Sequence, residues 1–175
     1  MIKLLSATTL CAGLALTGQP ADHTRLRADV DAAIKAFERS DSGLKDAFRK
    51  AAGYAVFPNV GKGGFVVGGA HGNGLVYEAG NLIGHASLTQ VTVGAQVGGQ
   101  EFSEVIFFET PAALAKFKES GFAMSAQVGA VAAAEGASKN AKYIEGVMVF
   151  TKAKQGLMAE ASVGGQKFKF EPVEK

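Results

Sequence analysis

The sequence predicts an α+β domain. The expectation is a mostly antiparallel, curved, Gly-rich β-sheet or barrel-like core, with two N-terminal helices and one helix near 111–119. Three observations carry it. Apolar residues recur at helical spacing between about 26 and 52. Beyond Tyr54 the apolar period changes toward two. Glycine pairs then recur inside those alternating runs, at Gly63-Gly64, Gly68-Gly69, Gly98-Gly99 and Gly164-Gly165. Glycine weakens a flat strand, and it is placed in one where the chain bends, bulges or admits another backbone.

Lys3 followed by the apolar stretch Leu4 to Leu16 reads as a secretory leader, too short to span a bilayer. Residues 1–21 are therefore expected to be a signal peptide, cut after Gly18 or Ala21. Residues 22–175 would form a single exported domain, periplasmic or secreted. The one cysteine, Cys11, falls in the leader, so the mature chain would have no disulfide and no thiolate.

The first helix is expected over 26–39, with Leu26, Val30, Ala33, Ile34 and Phe37 on one stripe. Ser40-Asp41-Ser42-Gly43 breaks it. A second helix runs from about Leu44 to Ala52, with Leu44, Ala47, Phe48 and Ala51 inward, Asp41 or Ser42 as cap and Gly53 as stop. Strands are expected at 54–57, 64–70, 75–78, 83–97, 102–108, 122–133, 144–151, 157–163 and 167–170. His71-Gly72-Asn73-Gly74 reads as a hairpin turn, because Asn-Gly accepts positive φ. Gly164-Gly165 reads as another. Thr110 should cap a helix with Pro111 in its first turn, Leu114 and Phe117 buried, and Gly121 at its end. The stretch 122–134 is alanine-rich, and its alternation favours a strand of small residues over a helix.

The formal net charge of +2 is too small to point to nucleic acid. A phosphate-binding loop fails twice: Gly61-Lys62 is followed by Gly63, and Val56 stands where the upstream glycine belongs. A dinucleotide fingerprint fails at Tyr77. His23, His71 and His85 are not spaced as metal ligands, and His23 is expected to be disordered at the leader junction. Ser42-Gly43-Leu44-Lys45 matches Ser-x-x-Lys without its companion elements. Neither an enzyme nor a cofactor is expected.

Surface remains. Lys45, Arg49 and Lys50 cluster on the second helix beside Leu44 and Phe48, and Lys62 follows on a glycine-rich loop. Such an element can lie on an anionic membrane, with amines on phosphates and apolar residues as anchors. Its bland counterpart is a solvated helix face docked on the sheet. Lys152, Lys154, Lys167 and Lys169 alternate and could make a second basic strip or guard a strand edge. A protein partner or homo-oligomer through an exposed edge is the alternative.

An ordered series of motifs resembles the SYLF domain. It comprises Ala52-Gly53-Tyr54-Ala55-Val56-Phe57-Pro58, the run Lys62 to Gly69, Gly72-Asn73-Gly74-Leu75-Val76, the run Thr92 to Gly99, and the run Lys154 to Val163. The resemblance extends from about Leu44 to Phe170. It implies a β core with flanking helices that binds phosphoinositide-like anionic lipid without a cofactor. It also implies an actin-binding-like scaffold by analogy with yeast members. Asn81 to Ser87 replaces the aromatic-Ser-x-Pro element of many members, and Ala134 to Ser138 replaces a Gly-Pro-x-Gly-Arg turn.

Overall fold

The computed structural model describes residues 20–64, 67–93, 100–119, 121–154 and 163–173. The leader through residue 19, the Gly98-Gly99 pair and all but the last residue of the strand expected over 157–163 lie outside these residues.

Helix α1 (Pro20–Ser40) begins earlier than its apolar stripe suggests, and α2 (Leu44–Lys50) ends two residues sooner than expected. Seven strands follow: β1 (Gly53–Gly64), β2 (Val67–Glu78), β3 (Asn81–Val93), β4 (Gln100–Phe108), β5 (Ala130–Ala132), β6 (Val147–Ala153) and β7 (Lys167–Pro172). Helix α3 (Pro111–Phe117) sits between β4 and β5, and Ala137–Lys139 forms one 3-10 turn. The sheet order is β5-β6-β4-β1-β2-β3-β7, antiparallel except for β5 beside β6.

The sheet is curved and not closed, so the barrel-like expectation is met only in part. One segment touches both its edges. Residues 122–124 lie along β7, with an Ala123–Lys167 bridge and a Phe168 N–H donating to the Phe122 carbonyl at 2.9 Å. Residues 130–132 lie along β6. Between them the chain turns, so neither a long strand nor a helix fills 122–133. The main chain there bonds with β7, with β6 and within its own turns.

Strand β2 corrects a second expectation. His71-Gly72-Asn73-Gly74 is not a turn; β2 runs through it, pairing Asn73 with Asn59 and Ser87. Its glycines serve close approach. A Cβ on Gly74 would overlap the Val56 carbonyl oxygen and stand 2.7 Å from the Phe57 ring. The real hairpin turn is Ala79-Gly80, both at positive φ (48° and 79°). A similar pair, Glu145-Gly146, splits the expected strand 144–151. Gly165 takes a φ of +80° at the turn expected there.

Both faces of the sheet are covered. Val30, Ala33 and Phe37 of α1 and Leu44 of α2 pack on Val56, Leu75, Tyr77, Val105, Phe107 and Phe150. On the other face Leu114 and Phe117 of α3, with Met124 and Val128, pack on Ala55, Phe57, Val76, Ile106, Phe108 and Phe168. Helix α3 matches its expected signals: the Thr110 hydroxyl accepts the Ala113 N–H at 3.2 Å, and Pro111 opens the first turn. Gly121 lies beyond its end, which Lys118 caps.

Candidate functional site

The loop between α1 and α2 is organised by Asp41, whose side chain is almost wholly buried. Its Oδ1 accepts the Gly43 N–H at 3.0 Å, and its Oδ2 accepts the Ser138 N–H at 2.6 Å. Burial pushes the Asp41 carboxyl up. Donors from Ser138, Gly43 and Gly136 outweigh that and hold it below its ordinary value. The cap expected of Asp41 is therefore only part of its work, because it also fastens the turn at 136–138 beside α2. Ser42 adds a hydroxyl that donates to Glu135 at 3.0 Å.

This arrangement sets the basic face. Lys45, Arg49 and Lys50 are exposed on α2. Asp46 pairs with Arg49 at 2.6 Å and with Lys50 at 3.3 Å, through largely exposed side chains. Lys139 and Lys142, one and four residues past the fastened Ser138, are exposed. Sequence reasoning missed both, since the contacts that join their segment to α2, Asp41 with Ser138 and Ser42 with Glu135, span 97 and 93 residues.

The apolar anchors are not available there. Leu44 has no exposed surface and packs under α1. Phe48 sits edge-on to Tyr54 and Phe107, with ring centroids 5.0 and 4.9 Å apart. Burial against the sheet stabilises both more than an outward position would, so the expected anchorage by Leu44 and Phe48 is corrected to core packing. Lys62 is not part of the cluster either. It lies near the far end of β1, nine residues past Gly53, or roughly 30 Å along the strand.

The second lysine strip does not assemble. β6 and β7 stand near opposite edges of the sheet. Lys154 bonds the Asn59 side chain, and Lys169 pairs with Glu171 at 2.6 Å.

Clefts border α1 along its length, among them two of similar size. One, of about 370 Å³, is lined by His23, Leu26, Asn73, His85, Lys169 and Glu171. His23 is not disordered; its ring meets His85 edge-on at 4.6 Å. Burial pushes the His85 imidazole down, the neighbouring His23 adds to this, and Glu171 opposes it. Among the described residues no group of three or more His, Cys, Asp or Glu could hold a metal ion. A second groove, of about 380 Å³, runs between Ala33 and Ala36 of α1 and Pro58, Ser103 and Lys152 of the sheet. Ser103 closes its floor by donating to the Pro58 carbonyl at 2.8 Å. No described helix is long and apolar enough to cross a membrane.

Residues 89–172, from the end of β3 through β7, match the family described as Ysc84, Las17-binding protein actin regulator. The match takes in just under half of the chain. It includes Lys139 and Lys142, whereas α2 precedes it. The chain is also similar to Beta cell expansion factor A of Aeromonas veronii, 31% identical over 139 residues, covering 78% of this chain and 52% of that protein. The chain thus spans about half the length of that relative. The Ysc84 match agrees with the resemblance to the SYLF domain read from the motifs above.

Proposed function

We propose that this chain is a non-catalytic, Ysc84-type binding module that engages anionic, phosphoinositide-like headgroups at a membrane surface. The observation that carries the proposal is the exposed basic face. Lys45, Arg49 and Lys50 on α2, and Lys139 and Lys142 just past the fastened 136–138 turn, stand against the carboxylates Asp41, Asp46 and Glu135. Because Leu44 and Phe48 belong to the core, the contact is electrostatic and peripheral. Each uncompensated cation near an anionic surface is worth about 1 kcal/mol, so a net of two gives about 2 kcal/mol, on the order of thirtyfold in affinity. Export to the periplasm or outside, with residues 1–21 as leader, is part of this reading. N-terminal sequencing of the cell-derived protein tests it.

Sedimentation with vesicles is the test of binding. The domain pellets with vesicles containing phosphatidylserine or phosphoinositide at low salt, not with phosphatidylcholine alone, and release accompanies rising salt. Equal absence from both kinds of vesicle at low salt refutes the proposal.

A second reading, a protein-binding scaffold, draws support from the family description, which names Las17 binding and actin regulation. Capture of a defined protein partner that survives charge removal on α2 would favour it.

A further inference from the structure

Glu104 on β4 has no exposed surface. Strand alternation places it with Phe102, Ile106 and Phe108 on the sheet face that α3 covers. Its register partners are Phe57 on β1 and Thr151 on β6. Gln166, just before β7, is also without exposed surface, and its Nε2–H donates to Glu104 Oε2 at 3.0 Å. The other two oxygens of the pair, Glu104 Oε1 and Gln166 Oε1, have no hydrogen-bond donor. Two buried acceptors without a donor are costly. A single proton on Glu104 Oε1 supplies the missing donor and satisfies both.

We propose that Glu104 takes up a proton on the acid side of neutrality to form a reciprocal carboxylic acid–amide pair with Gln166, and that this pair is a proton-operated latch fastening the 163–166 turn onto β4. The turn is where the curved sheet is seamed. The Gln166 carbonyl accepts the Met124 N–H at 2.8 Å, and the Gly165 N–H donates to the Met124 carbonyl at 2.9 Å. Gln90 of β3 donates its Nε2–H to the Gly164 carbonyl at 3.1 Å. Loss of the proton to water leaves a carboxylate among apolar side chains and removes one of the two bonds to Gln166. The turn and the seam between β7 and 122–124 then loosen together.

The surroundings offer the charge little relief. Among the described residues of the strands packed against Glu104, the charged side chains on its face are Lys62, near one end of β1, and Glu78, at the far end of β2. Phe57, Val149, Met124 and Phe168 occupy the space between. Burial pushes the Glu104 carboxyl up to about 7, against the pull of the Gln166 amide.

Carbon-13 NMR of the Glu104 carboxyl in the intact protein reads the proton directly, and amide exchange at Met124 and Phe168 reads the seam. The carboxyl should titrate near 7 rather than at its ordinary 4.5. Relative to E104Q, whose carboxamide can donate to Gln166 at every pH, the wild-type seam amides should exchange faster with rising pH. The increase is about tenfold per unit up to the midpoint, followed by a plateau. A carboxyl that titrates in the ordinary range overturns the proposal. So do seam amides whose exchange is the same in wild type and E104Q throughout. Should E104Q not fold, the wild-type amide shifts of Met124 and Phe168 decide: a midpoint shared with the carboxyl supports the latch, and unresponsive shifts overturn it.

Discussion

Asp41 governs the basic face although it carries the opposite charge. It bonds Gly43 at the start of α2 and Ser138 in the turn that leads into Lys139 and Lys142. Asp41→Asn keeps the size of the side chain and loses the charge-assisted bonds. It should lower stability by about 1–3 kcal/mol in denaturant melts at pH 7. The pH dependence follows from the carboxyl lying below its ordinary 3.8. Its contribution is complete above that value and is lost as pH falls through the lower folded-state value. An acid-side melt series should show this slope in the wild type and a shallower one in Asp41→Asn. Leu44 separates packing from binding. Leu44→Ala removes a side chain with no exposed surface and should cost about 2–5 kcal/mol. Binding per folded molecule, read by vesicle sedimentation well below the unfolding midpoint, should not change.

Elements were legible in the sequence where local chemistry determined them. Thr110-Pro111 with Leu114 and Phe117 specifies the start and buried edge of α3 without help from distant residues. Local reading failed where a distant partner set the requirement. Gly72-Asn73-Gly74 has the composition of a turn, yet β1 lies so close that a side chain at 74 would meet the Val56 carbonyl and the Phe57 ring. Gly74→Ala should therefore destabilise by about 1–3 kcal/mol, measured by thermal melts, because the obstacle is partly backbone. Ala79-Gly80 and Glu145-Gly146 turn tightly with a first residue that does not favour positive φ, so neither announced itself. The stretch 122–133 alternates like a strand, but its partners change midway from β7 to β6. No periodicity within the segment encodes that change.

At the scale of the molecule, a sheet covered on both faces leaves recognition to its exterior. The Glu104–Gln166 bond joins β4 to the turn before β7, four places along the strand order, so the sheet bends as the glycines predicted, while β5 and β7 remain its edges. The candidate site was partly legible. Helical spacing exposed Lys45, Arg49 and Lys50 correctly. It grouped them with Lys62, which the length of β1 carries to the other end of the sheet. It placed Leu44 and Phe48 inward, as they are found, but also offered them as membrane anchors, because an amphipathic stripe looks the same whether it meets a membrane or a sheet. The central claim, electrostatic adhesion through the α2 face, is tested most directly by titrating phosphatidylserine vesicles with wild type and with the Lys45→Ala, Arg49→Ala, Lys50→Ala triple variant at one low salt concentration. The account predicts a loss of affinity on the order of tenfold to a hundredfold in a variant that remains folded. Equal affinity of the folded variant and the wild type would contradict it.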